Sequence, residues 1–220
     1  VSAPQLSMAF YKSAAVLGAE IKEFTEVHAF IFNNKKVVGV DTSEGRVFSE
    51  NVIVASGAWS GRLLRESGIE LTIYPVKGEC FFVKTEKPLL QKTLFSHGCY
   101  LVPKSGGRTL VGATVKPYSF DRKVTLEGIS TLMKKAVELV PAIADAEWEQ
   151  AWAGTRPQTG DGLPYLGEHP GIKNLFIATG HFRNGILLSP ITGKVVADLV
   201  ERKAVPGLEA FRVDRSLIVS

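Results

Sequence analysis

Two short apolar runs constrain this chain more than any other feature. Val52-Ile53-Val54-Ala55 is closed by Ser56-Gly57-Ala58-Trp59-Ser60-Gly61 and followed by a helix-like stretch from Arg62 to Ser67. Asn174-Leu175-Phe176-Ile177-Ala178 is closed by the turn Gly180 to Gly185 and followed by an apolar helix-like run to about Arg202. A short apolar run bounded by turn residues reads as a buried strand. A strand that ends in a glycine turn and a helix is how α/β folds bring backbone close to a ligand. Both ends of the chain are therefore expected to contribute to one ligand-binding α/β lobe.

The segment between these runs has a different rhythm. Tyr74 to Thr85, Cys99 to Pro103, Thr109 to Ala113 and Glu147 to Ala153 read as strands, with Lys104 to Arg108 as a hairpin turn. Thr125 can cap a helix that gathers Ile129, Leu132, Met133, Ala136 and Val140 on one face and stops at Pro141, and this helix is expected to lie on an antiparallel sheet. Near the start, Ser2-Ala3-Pro4-Gln5 reads as a capping box opening a helix through Leu6, Phe10, Ala14 and Leu17 to Gly18. Val27 to Phe32, Lys36 to Thr42 and Arg46 to Phe48 then read as a small β-meander.

The expected fold class is α/β in a mixed α+β arrangement. Residues 1–71 and 157–220 form the α/β lobe, and residues 72–156 form an antiparallel-sheet lobe inserted into it. A dinucleotide-binding lobe needs a G-x-G-x-x-G turn after a strand near its start, and no such segment occurs in these 220 residues. The lobe is thus expected to be incomplete as a dinucleotide site. The N-terminus, with no initiator Met, basic region or apolar region of a signal peptide, reads as a chain cut from something longer.

Charge and cysteine usage narrow the function classes. The net charge of +4 is spread along the chain with no basic run interleaved with aromatics, so no nucleic-acid partner is expected. No uninterrupted apolar segment approaches the roughly 20 residues that cross a bilayer, because Lys194, Asp198 and Glu201 break the most apolar region, so no membrane partner is expected. Cys80 and Cys99 lack CxxC spacing and the four histidines lack ligand spacing, so no metal site is expected, and two reduced thiols suit the cytoplasm.

Three side chains invite a ligand. Arg183 sits in the glycine turn at a helix mouth, where a guanidinium suits a nearby carboxylate or developing anion, and a surface ion pair is the competing reading. Arg156 precedes Pro157, which is expected to end the strand and point the arginine out of the sheet, either to capture a carboxylate or to pin the following loop. Alternation sends Tyr100 and Val102 to one face and Cys99 and Leu101 to the other, which leaves Tyr100 as a packing residue or as a phenol beside such a carboxylate.

Taken together, "VIVASGAWSGRLL", "PVKGEC", "CYLVP", "LVGATVKP", "WAGTRPQTGDGLPYLG" and "ATGHFRNGILLSPITG" resemble the C-terminal part of flavin-dependent amine oxidases of the D-amino-acid oxidase superfamily. "PVKGEC" together with "HFRNGILL" is most similar to the bacterial glycine oxidase branch of thiamine (thiazole) biosynthesis. The resemblance implies FAD as cofactor and a small amino acid and oxygen as substrates. It implies a substrate carboxylate held by Arg156, with Tyr100 and Arg183 beside it. It also implies flavin contacts from His181, Phe182, Arg183, Asn184, Gly185, Ile186 and Leu187, an adenine-end contact from the Val27 backbone, and Ser56, Gly57 and Trp59 near the dinucleotide. The implied reaction passes a hydride from the α-carbon of a neutral amine to the flavin and forms hydrogen peroxide, with no side chain assigned as a catalytic acid or base.

Close glycine oxidases carry bulkier residues at the positions matching Gly98 and Val115, so the resemblance implies a pocket that admits sarcosine and small D-amino acids beside glycine. It also implies a cytoplasmic, homotetrameric parent whose phosphate-binding glycine motif lies upstream of Val1. Two other readings stay open: a sarcosine-oxidase-like enzyme or D-amino-acid dehydrogenase with a different electron acceptor, and a non-catalytic isolated substrate-binding lobe.

Overall fold

The computed structural model describes residues 2–215. In chain order these form α1 (Ala3–Val16), β1 (Val27–Asn33), β2 (Lys36–Thr42), β3 (Gly45–Phe48), β4 (Val52–Val54), α2 (Ser60–Glu66), β5 (Ile73–Lys84), β6 (Leu94–Ser96), β7 (Cys99–Pro103), β8 (Arg108–Gly112), β9 (Lys116–Pro117), α3 (Leu126–Leu139), β10 (Glu147–Thr159), β11 (Tyr165–Glu168), β12 (Leu175–Thr179) and α4 (Gly185–Val200). Two compact units result. One runs to Ser56, takes Ser60–Leu71 and resumes at Asp161; the other comprises Gly57–Trp59 and Thr72–Gly160.

In the first unit β12 is the hub. It pairs parallel with β4 and antiparallel with β11, and Leu175, Phe176 and Ile177 are all buried. A parallel pair needs a crossover, which is why strands about 120 residues apart in sequence meet here. α4 packs on β11 and β12 through Val195 and Val196. The meander β1-β2-β3 forms its own antiparallel sheet. Arg215, buried, holds the start of the segment before β11 by two bonds to Asp161 at 2.6 and 2.8 Å, bonds to the carbonyls of Leu163 and Pro164, and stacking over the Tyr165 ring. The expected capping box is not formed. Ser2 makes no side-chain cap, and the first turn of α1 is closed instead by the Leu6 N–H donating to the Ser2 carbonyl at 3.0 Å, with Pro4 having no N–H to satisfy.

The second unit is an antiparallel sheet in the order β10-β5-β8-β7-β6, with β9 also beside β5. Alternation splits its faces. Phe81, Val83, Cys99, Leu101 and Val111 point to one side and pack under Ile129, Leu132 and Ala136 of α3. Thr125 caps that helix by accepting from the Gly128 N–H at 3.1 Å. A polar knot lies below the cap: buried Lys77 bonds Glu79 and Asp121, each at 2.9 Å, and Glu79 accepts from the Thr125 hydroxyl at 3.0 Å. A carboxylate at a helix N-terminus is favoured by the helix dipole. Burial opposes the Lys77 charge, but its bonds to Asp121 and Glu79 outweigh that and raise its pKa.

One expectation is overturned here. β10 does not end at Arg156 but runs on through Pro157 to Thr159, with Arg156 opposite Val76 and Pro157 opposite Pro75. Among the described residues β10 is the end strand of its sheet, where a proline costs no ladder bond on the open side. Arg156 therefore lies within the sheet, its direction set by strand alternation.

Candidate functional site

On the face of the second sheet opposite α3, strand register lines up Trp152, Cys80, Gly112, Tyr100 and Phe95 across five strands. Gly112 is what lets the Tyr100 ring lie down along this row. A β-carbon at 112 would come within 2.5 Å of both the ring Cζ and the hydroxyl. The hydroxyl thereby reaches the Cys80 Sγ at 3.7 Å, while Phe95 sits against the other side of the ring with centroids 5.9 Å apart.

Arg156 approaches the same place from β10. Gly78 and Gly154 face each other across β5 and β10, and a β-carbon at Gly78 would run into the arginine's Nη1, Nη2 and Cζ. The guanidinium thus lies across the glycine of β5, and its charge is felt at the Cys80 thiol. Burial pushes that thiol's pKa up, against the smaller opposing effects of Tyr100 and Arg156. Two of the expected site residues, Tyr100 and Arg156, are accordingly brought to one patch, converging on Cys80 from opposite strands.

That patch carries an unmet demand. The Nη1 atom of Arg156 is buried and has no hydrogen-bond partner among the described residues. A buried, unpartnered guanidinium nitrogen is costly, and a planar carboxylate is the group that matches its fork. Sequence reading missed Gly78, Gly112 and Cys80. A signal was present in "PVKGEC", because a glycine inside a strand marks a close approach of another group.

Of the remaining expected residues, Val27, Ser56 and the stretch from His181 to Leu187 lie in the first unit. A single 3-10 turn, Phe182–Asn184, leads into α4 at Gly185. Arg183 is exposed and stacks over the Phe182 ring at 5.3 Å. Asn184 gives no side-chain cap, the first turn of α4 holds no acidic residue, and Ile186 and Leu187 are exposed beside it. His181 Nε2 lies 3.0 Å from the Thr192 hydroxyl, and burial lowers its pKa. Val27 opens β1 next to a register shift, and the Ser56 and Ser60 hydroxyls are 3.1 Å apart. In the second unit, Gly57 starts the 3-10 turn and Trp59 tilts against Phe120 with centroids 5.7 Å apart.

The chain is similar to known proteins along nearly its whole length. It is 54% identical over 204 residues to glycine oxidase of Geobacillus kaustophilus, covering 92% of this chain and 54% of that protein. It is 37% identical to the bifunctional protein ThiO/ThiG of Synechocystis sp., covering 97% of this chain and 32% of the relative. The crystal structure of the Geobacillus kaustophilus glycine oxidase superposes with a TM-score of 0.94 at 52% identity, covering 98% of this chain and 58% of that one. The chain thus spans about half the length of the glycine oxidase it matches. The family described as FAD dependent oxidoreductase matches residues 1–199, and the chain belongs to that family.

Proposed function

We propose that this chain serves an FAD-dependent oxidation of glycine and other small amino acids, among them sarcosine and small D-amino acids. For glycine the overall reaction consumes oxygen and water and yields glyoxylate, ammonia and hydrogen peroxide. The observation that carries the reading is the buried, unpartnered Arg156 Nη1 on the sheet face where the Tyr100 hydroxyl reaches Cys80, an arrangement suited to a carboxylate.

The turn into α4 fits a flavin ring. Its uncapped helix N-terminus favours negative charge, and the exposed Ile186 and Leu187 offer apolar surface to a flat ring. We assign His181, Phe182, Arg183, Asn184, Gly185, Ile186 and Leu187 to that contact and the Val27 backbone to the adenine end, following the family resemblance. When bound, FAD supplies the two-electron acceptor for hydride from the substrate's α-carbon. Arg156 and Tyr100 would then hold the carboxylate and orient that carbon; a substrate role for Arg183 is carried over from the family resemblance alone. A substrate that binds as the neutral amine requires no protein base.

The similarity to glycine oxidase and to ThiO/ThiG supports a place in thiamine (thiazole) biosynthesis. The proposed compartment is the cytoplasm, supported by two free buried thiols, and the proposed assembly is a homotetramer, carried over from the resemblance alone. Among the described residues no helix is long and apolar enough to cross a membrane.

The test is to supply glycine to the FAD-loaded protein under air and measure peroxide. One peroxide per glyoxylate is expected. Turnover that reduces a dye or quinone without peroxide overturns the oxidase assignment in favour of a dehydrogenase, and a folded protein that takes up no FAD favours the reading as an isolated, non-catalytic substrate-binding lobe.

A further inference from the structure

The carboxylate patch has a floor that neither Arg156 nor Tyr100 explains. Each of the two side chains lies over a glycine: Gly78 under the guanidinium and Gly112 under the phenol. Cys80 projects its side chain from β5 between them. It is two residues from Gly78 on the same face of β5 and directly opposite Gly112 on β8. Its Sγ is 3.7 Å from the Tyr100 hydroxyl, and the Arg156 charge acts on it.

We propose that Cys80 forms the floor of the carboxylate pocket: the anion held by Arg156 and Tyr100 rests on its sulfur, and position 80 must be neutral for the substrate to bind. The inference rests on the carboxylate reading given above. An anion that takes both the Arg156 Nη1 and the Tyr100 hydroxyl has to lie between them, and Cys80 occupies the bottom of that gap. The thiol is small enough to leave room there. Burial also keeps it protonated, against Arg156 and together with the like-charge effect of Glu79, so it adds no negative charge under the anion. A carboxylate placed at position 80 would instead pair with Arg156 from within the protein and occupy the site.

The experiment compares Cys80→Asp with Cys80→Asn, which have nearly the same shape and differ in charge. Glycolate, a carboxylate without an amine, serves as the probe through its inhibition of glycine turnover in the FAD-loaded protein. Relative to Cys80→Asn, which carries the cost of the larger side chain alone, Cys80→Asp is expected to weaken glycolate and raise KM for glycine by about a further 10- to 100-fold, the loss of one charge-assisted contact. Equal behaviour of the two variants, whether both bind or both fail, overturns the proposal.

A second measurement needs no substitution. In wild-type protein labelled with 13C at the cysteine β-carbon, glycolate should shift the Cys80 resonance and leave that of Cys99, on the opposite face, in place. A Cys80 signal that stays fixed at saturating glycolate overturns the floor assignment. If glycolate inhibits and Arg156→Lys abolishes that inhibition, the carboxylate reading stands whatever Cys80 does; if Arg156→Lys leaves inhibition intact, the carboxylate reading itself has failed.

Discussion

Replacing Gly78 with alanine should disable the carboxylate clamp without touching any group that contacts the substrate. A β-carbon at 78 would occupy the space now held by Nη1, Nη2 and Cζ of Arg156, so the guanidinium must leave its place across β5. The lost contacts are charge-assisted hydrogen bonds worth about 1.5–3 kcal/mol. At about 1.4 kcal/mol per decade this corresponds to a fall in kcat/KM for glycine of roughly 10- to 150-fold. Gly154 is the built-in control. It lies directly opposite Gly78, yet a β-carbon there meets nothing within 4 Å, so Gly154→Ala should leave the kinetics unchanged.

The assay is steady-state peroxide release from the FAD-loaded protein, run as a double-mutant cycle with Arg156→Ala. If the alanine acts only by displacing the guanidinium, Gly78→Ala adds no further loss once Arg156 is gone. A Gly78→Ala penalty of the same size with and without Arg156 would refute the reasoning, as would wild-type kinetics in the single variant.

Three further outcomes are expected. Lys77→Met leaves Glu79 buried without its cation and should cost about 3–5 kcal/mol of stability, read by denaturant unfolding. Arg215→Ala removes the bonds that hold Asp161 and the carbonyls of Leu163 and Pro164, and should lower unfolding stability by about 2–4 kcal/mol, whereas a loss within about 0.5 kcal/mol would mean the clasp is incidental. Burial holds the pKa of His181 below its ordinary value of about 6.5, so the unfolded chain binds a proton more readily and stability should fall as pH drops from about 6.5 through the lowered folded value. His181→Gln should remove that share of the pH slope and leave the share of His169, whose pKa burial also lowers.

Local signals in the sequence were strong where an element is bounded by its own chemistry. β2 and β7 were legible to the residue, and α3 was fixed by the Thr125 cap and the Pro141 stop. Elements too short to carry a pattern of their own were not. β11 is a four-residue strand between prolines that exists because β12 pairs with it, and β6 and β9 are shorter still. Pro157 reads as a strand end because sequence does not reveal that, among the described residues, β10 is a terminal strand of its sheet, where proline is tolerated.

The candidate site shows the same division. Arg156 and Tyr100 could be picked out by residue type, but their convergence depends on the register that sets Cys80 against Gly112 and Gly78 against Gly154. No spacing along the chain encodes that register. The Lys77–Glu79–Asp121 knot was invisible for the same reason, since Asp121 reaches Lys77 from a loop 44 residues away.

The central claim is that Arg156 takes the substrate's carboxylate, and the most direct measurement is KM for glycine in the FAD-loaded Arg156→Ala protein. The account predicts a KM raised on the order of 100-fold, with glycolate inhibition lost in parallel. A KM for glycine equal to that of the wild type would contradict it.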